Sequence, residues 1–315
     1  MSQWKFRFII KNMDRVETLN TAFGDIIKRA IALSKSPAVV TEENVYQEAD
    51  KNILPCLDQI VEALALPGSG FYGLENLEDL YSKAESGKSC LLLLEHYSNL
   101  DLSLFSYMLR KAGGRGEEIA NSVIAIAGMK LNEDNPGVSA FASAYTRIVI
   151  YPSRSLKDLE GEKQQAEFNR SNAINRAAMK AVSDYKNSGH LILIFPSGTR
   201  YRSWDPSSRQ GLREIDSYIR SFDYMCMVAI NGVCLLVGEG DNMLDDPVEK
   251  DLVYISAGPP INCNEFRDRA RAEVEAKADR TDKKQAVADT IMAELEKMHN
   301  EREEKRKEKL KNIGG

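Results

Sequence analysis

The stretch Cys90-Leu-Leu-Leu-Leu-Glu-His96-Tyr-Ser-Asn-Leu-Asp101 decides how the chain is read. Its first half is a continuous apolar run, short enough for a strand buried on both faces. Its second half turns polar at once and carries a histidine and an aspartate five positions apart. A second run of this kind, Leu191-Ile-Leu-Ile-Phe195, passes into Pro196-Ser-Gly-Thr-Arg200. Strands that end in polar loops suit an open α/β sheet, where ligands gather beyond the carboxyl ends of the strands.

The full set of expected strands is Cys90–Glu95, Ser122–Ala127, Arg147–Tyr151, His190–Phe195, Met225–Ile230 and Leu252–Ala257. Helical patterns lie between them at Leu102–Lys111, Gly137–Ala144, roughly Leu156–Asn187 and Gly211–Arg220. The alternation predicts an α/β domain with a mainly parallel sheet flanked by helices. Upstream, Val16, Leu19, Phe23, Ile26, Ile27, Ala30 and Leu33 recur at helix spacing. Thr41 is the expected N-cap of a further helical segment carrying Ile53, Leu57, Ile60, Val61 and Leu64, which Pro55 should kink or divide. Pro67-Gly-Ser-Gly70 ends that region. The expected organisation is a small N-terminal helical domain over residues 1–72, an α/β domain over 73–275 and a charged helix over 276–315. On that last helix Val287, Ile291, Leu295 and Met298 form a stripe that can dock on the body. Beyond Asn300 the mixed charges read as a solvated, fraying end whose basic residues suit a membrane surface.

A chain of 315 residues is one large domain, or one domain with a smaller companion. Its net charge of −5 argues against a nucleic-acid partner. The five cysteines, Cys56, Cys90, Cys226, Cys234 and Cys263, form no CxxC pair and read as buried thiols of a reducing compartment. The first residues lack the apolar core of a signal peptide. No run reaches the ~18–20 apolar residues that span a bilayer; the longest candidate, Met225 to Val237, is broken by Asn231 and Gly232. A cytoplasmic protein, soluble or peripherally membrane-associated, is expected.

His96 ends a strand, and Asp101 can fold back on it to fix the imidazole tautomer. The other ring nitrogen then removes a proton from a hydroxyl. The alternative is that Asp101 or Asn99 caps the following helix and His96 is half-buried without a role. His299, on the terminal helix, and His190, before a strand, have no comparable carboxylate neighbour in the sequence, so a histidine mechanism must use His96. In the second loop Gly198 lets backbone approach a ligand, and Arg200 and Arg202 suit phosphate oxygens. Alternatively these arginines pair with surface carboxylates such as Asp205. Arg147 and Arg154 bracket a short strand, and Arg147 reads equally as a structural arginine. Lys130 and Thr199 are weaker ligand candidates, and backbone N–H groups near Gly198 are the expected oxyanion donors. Gly87-Lys-Ser89 is no P-loop, because Ser82 stands where its first glycine belongs. No GxSxG elbow, no dinucleotide fingerprint and no metal-ligand cluster is present, and no cofactor or metal is expected.

The order and spacing of His96-x4-Asp101, Arg147 to Arg154, and Phe195-Pro-Ser-Gly-Thr-Arg200 resemble the glycerolipid acyltransferase superfamily with its HxxxxD motif. The chain resembles the glycerol-3-phosphate and 1-acylglycerol-3-phosphate acyltransferases, and specifically the soluble plastid-type glycerol-3-phosphate acyltransferases. The resemblance implies a helical N-terminal domain before an α/β domain, with His96 and Asp101 as the catalytic pair. It gives Arg154, Arg200 and Arg202 the acceptor phosphate. Ser197 replaces the glutamate usual in lysophosphatidate enzymes, while Thr199 follows their pattern. The segment Met227–Gly232 lacks the proline of the family's fourth block. The implied reaction moves an acyl group from acyl-ACP or acyl-CoA to glycerol 3-phosphate, with 1-acylglycerol 3-phosphate as the alternative acceptor. A lipid- or phosphate-binding protein without turnover and a thioester hydrolase are the alternatives from other classes.

Overall fold

Leu91, Leu92, Leu93 and Leu94 are all fully buried, and they alternate between two separate cores. That alternation is the pleat of a strand covered on both faces. The computed structural model describes residues 16–133, 135–152, 161–238, 240, 242–276 and 282–313. Among the described residues there is one nine-stranded sheet. Its strands are β1 (Tyr46–Gln47), β2 (Gly70–Tyr72), β3 (Cys90–Leu94), β4 (Val123–Gly128), β5 (Arg147–Ile150), β6 (Leu191–Ile194), β7 (Tyr224–Asn231), β8 (Tyr254–Ala257) and β9 (Ile261–Asn262). They are ordered β1-β5-β4-β6-β3-β7-β8-β2, with β9 beside β7. Strands β5, β4, β6, β3 and β7 run parallel, as do β8 and β2, while β1–β5, β7–β8 and β7–β9 are antiparallel. The α/β class with a mainly parallel sheet is therefore what the chain adopts, and all six strands read from apolar runs are present. The other three have two or three residues each, too few to make an apolar run.

One face of the sheet carries α1 (Leu19–Leu33), α2 (Leu54–Leu64), α3 (Leu74–Glu85), α4 (Asp101–Lys111), α5 (Gly116–Ser122) and α7 (Pro136–Ala142). Ile27, Ile60, Leu77, Leu104, Ile119 and Val138 from these helices share a core with Leu92 and Leu94. A four-residue helix, α6 (Lys130–Glu133), follows β4. The other face carries α8 (Gly161–Tyr185), α9 (Ile215–Ser221), α10 (Cys263–Ala276) and α11 (Lys283–Ile313), whose Ile174, Ile219, Phe266 and Ile291 meet Leu91 and Leu93. The segment before residue 73 supplies α1 and α2, and also β1 and β2, the outermost strands of the order.

Local chemistry explains where elements begin. Thr18 and Thr21 exchange side-chain and backbone hydrogen bonds in a capping box at the start of α1. Pro55 opens α2 instead of kinking it, because a first-turn proline lacks only an N–H that has no intrahelical partner. Thr41, expected as that helix's cap, lies in a turn, where its own N–H donates to Asn44 Oδ1 at 2.8 Å. The stripe Val287, Ile291 and Leu295 is buried as expected, and Met298 packs beside it. The expectation of a solvated end past Asn300 does not hold at Glu303, which is 7% exposed. Glu303 accepts from Asn231 Nδ2 at 2.9 Å, and Arg306 reaches both Glu303 and Asp251. The helix docks there through polar pairs, which an apolar pattern cannot reveal. All five cysteines are free and buried, and burial pushes the Cys90 thiol up to about 12.

Because Leu93 fills the centre of the sheet, Leu93→Ala should cost about 2–5 kcal/mol. Guanidinium unfolding measures it.

Candidate active site

Strand β3 hands over to its loop when Glu95 N–H donates to Val228 O at 3.1 Å. Asp101 then opens α4, yet that helix has no side-chain cap, so neither Asp101 nor Asn99 plays the capping role. The Asp101 carboxylate turns back instead. Its Oδ2 accepts from Tyr97 N–H at 2.6 Å and Ser98 N–H at 2.8 Å, and its Oδ1 from the Ser98 hydroxyl at 2.7 Å. His96 Nδ1 lies 2.9 Å from the same Oδ2. A carboxylate only accepts, so Nδ1 carries the hydrogen and Nε2 keeps the lone pair. Asp101 is 2% exposed and His96 17%, which places the pair at the edge of the interior. Asn99 Nδ2 is buried with no hydrogen-bond partner among the described residues.

Strand β6 lies next to β3, so its loop meets the histidine directly. The Phe195 ring stacks on the His96 ring at 4.0 Å between centroids, and Tyr201 N–H donates to His96 O at 2.8 Å. Gly198 has φ +58, a backbone region that costs glycine little. Its N–H donates to Phe195 O at 2.8 Å, so that hydrogen is committed to the turn and not aimed at an oxyanion. Ser197 Oγ donates to Thr199 O, and Thr199 Oγ1 accepts from Arg202 Nη1 at 3.0 Å. The Arg200 guanidinium is paired with Asp246, which is 1% exposed and also accepts from Gly238 N–H at 2.8 Å. Asp205 instead bonds Ser207.

The remaining candidates are spread out. Lys130 is exposed just beyond the end of β4, at the carboxyl end of the parallel strands that also holds His96. Arg147 begins β5 and is level with Ala125, Leu193 and Leu92. It is therefore three strands across from His96 and roughly 13 Å lower along the strand direction. Arg147 is 2% exposed and donates to Ala142 O at 2.7 Å and Ser36 Oγ at 2.9 Å, and burial brings its guanidinium down to about 10. The structure does not bring Arg147 to the site; it is the structural arginine of the two readings. Arg154 falls within 153–160, outside the described residues.

Reading the sequence missed Asp246 and a cluster behind the His96 loop. Glu95 is buried, and its Oε1 accepts from the Tyr97 hydroxyl at 3.0 Å. Its Oε2 accepts from Ile230 N–H at 2.8 Å and lies 3.2 Å from His299 Nδ1. His299 Nδ1 is also 3.2 Å from Tyr97 Oη, and its Nε2 is 3.9 Å from Glu303. His299 thus has carboxylate neighbours after all, contrary to the sequence reading. Glu303, one helical turn on, was visible by its spacing; Glu95 was not. Burial, and then Glu95, pushes the Tyr97 hydroxyl well above its usual range. Burial alone would lower His299, but Glu95 and Glu303 outweigh it and raise the imidazole above 6.5.

Residues 70–223 match the family described as Acyltransferase. This span contains both loops, and the match supports acyltransferase activity in general. No curated protein matches the chain. Among the described residues no helix is long and apolar enough to cross a membrane. Among the same residues no group of three or more His, Cys, Asp or Glu is placed to hold a metal ion.

The raised His299 value has a consequence for stability. A cation favoured by folding stabilises fully below its unfolded value and loses that contribution as pH rises through the folded one. His299→Ala should therefore lower Tm more at about pH 6 than at about pH 9. A deficit equal at both would show that the imidazolium charge contributes nothing.

Proposed function

We propose that this chain moves a fatty acyl group from acyl-ACP or acyl-CoA to the sn-1 hydroxyl of glycerol 3-phosphate, a step of phospholipid biosynthesis, in the cytoplasm or at a membrane surface. The observation that carries this reading is the 2.9 Å contact between His96 Nδ1 and a buried, fully bonded Asp101, within the span that matches the family. His96 Nε2 takes the proton of the acceptor hydroxyl as its oxygen attacks the thioester carbonyl carbon. A carbon–oxygen bond forms, the carbon–sulfur bond breaks, and the imidazolium returns the proton to the departing thiolate. Asp101 stabilises the imidazolium between these events.

Arg200 and Arg202, with Arg154, are the proposed holders of the acceptor phosphate, and Lys130 is a further cation at the same end of the sheet. Binding the phosphate fixes the hydroxyl at a set distance from the base, and such positioning is a large part of the rate. Asp246 orients the Arg200 fork in this reading. A second acceptor, 1-acylglycerol 3-phosphate, is favoured by one observation. Trp204, two residues beyond Arg202, is 54% exposed and offers an apolar surface for an acyl chain.

The test is thiol release from palmitoyl-CoA and palmitoyl-ACP with glycerol 3-phosphate, with 1-acylglycerol 3-phosphate, and with neither. Release that requires glycerol 3-phosphate is expected. Release only with the acylated acceptor supports the second reading. Release without acceptor indicates a hydrolase, and no release a binding protein; either would overturn the proposal. Arg200→Ala should raise the acceptor KM about 10- to 100-fold, the worth of a charge-assisted hydrogen bond. The folded fraction is measured alongside, because Asp246 is left buried and unpaired. Arg147→Met should leave that KM unchanged.

A further inference from the structure

We infer that His299, on the C-terminal helix, is a positioning residue for the His96–Asp101 pair and acts through Glu95 and Tyr97. Its kinetic consequence rests on the acyl-transfer reading above. Glu95 and Tyr97 flank His96 in the chain, and both side chains meet His299. The Tyr97 N–H donates to Asp101 Oδ2, the oxygen that also receives His96 Nδ1. A continuous chain of contacts, none longer than 3.2 Å, therefore runs from His299 Nδ1 through Tyr97 to Asp101 and His96.

The geometry gives this chain a fixed end. His299 is anchored by its own carbonyl, which accepts from Asn231 Nδ2 at 2.9 Å at the end of β7. Leu295, fully buried, holds α11 one turn before it. Glu303 lies one turn after, tied to Asn231 and to Arg306, which in turn reaches Asp251. Arg209, stacked over the Tyr201 ring at 4.1 Å, is the cation facing the cluster from the second loop. Among the described residues His299 is the one group in an ion pair with the buried Glu95. A buried carboxylate that loses its imidazole partner does not stay in place without cost, so it moves towards water or takes a proton. Either response releases the Tyr97 hydroxyl and lets the loop backbone shift under Asp101. The Arg200–Asp246 pair shares no hydrogen bond with this cluster. Because α11 lies outside the matched residues 70–223, the support comes from a part of the chain beyond the family's span.

Three full-length variants test the inference. His299→Ala should lower kcat roughly 10- to 100-fold while the acceptor KM stays within about twofold, as for a small misplacement of a catalytic group. His299→Asn keeps an N–H near the position of Nδ1 and should retain more of kcat than the alanine variant. Val287→Ala opens a cavity under the same helix three turns away and should lower Tm with kcat per folded molecule unchanged. Equal kcat for His299→Ala and the wild type, or equal losses for His299→Ala and Val287→Ala, would overturn the inference. The chain has three histidines, so each ring is assignable by NMR. The proton on His96 Nδ1 should be sharp and slow to exchange in the wild type, and broadened or lost in His299→Ala. That signal decides the inference even if the wild type transfers no acyl group, which would overturn the proposed function alone. Should the alanine variant fail to fold, Tyr97→Phe, which removes the linking hydroxyl, carries the same test; an unchanged His96 proton and kcat would again overturn it.

Discussion

The carboxylate of Asp101 is the constraint on which the site depends. It is nearly inaccessible to water and takes hydrogen bonds from two backbone N–H groups, one hydroxyl and one imidazole. Those bonds turn the chain between β3 and α4 back around the carboxylate. They also decide the tautomer of His96, because the nitrogen facing a carboxylate must carry the hydrogen. The residue that shapes the loop is therefore the one that orients the histidine. A carboxylate capping α4 would have satisfied the helix and left the histidine unoriented.

Around this point the sheet does the remaining assembly. Strands β3 and β6 are neighbours though about a hundred residues separate them, so the loop carrying Phe195, Gly198 and Arg200 is delivered against the His96 ring. Parallel strands put both loops at one end, where an open α/β sheet presents its ligand crevice. The same logic removes Arg147, whose register puts it level with Leu92, three strands across and four residues short of His96, where it donates to the last carbonyl of α7.

What could be read from the sequence follows from the range of each interaction. The H-x4-D pair is local, so its spacing is visible, and the leucine run before it declares a strand buried on both faces. The six long strands were legible for that reason, whereas β1, β2 and β9 are too short to carry a pattern of their own. Arg200 was visible as a cation after a strand, but its partner Asp246 comes from a distant turn that no spacing rule connects to it. The C-terminal helix was legible only along its apolar stripe. Its continuation, where His299, Glu303 and Arg306 dock through hydrogen bonds, has the composition of a solvated surface. Polar docking depends on which partners are met in space, and a single sequence carries no local signature of that.

The central claim is that His96 acts as the general base on a substrate hydroxyl. The most direct test is the rate of acyl transfer by His96→Ala at saturating donor and acceptor, on protein whose Tm matches the wild type. A loss of about 10²–10⁴-fold, with the acceptor KM little changed, is the result expected of a lost base. Transfer at close to the wild-type rate would contradict the account.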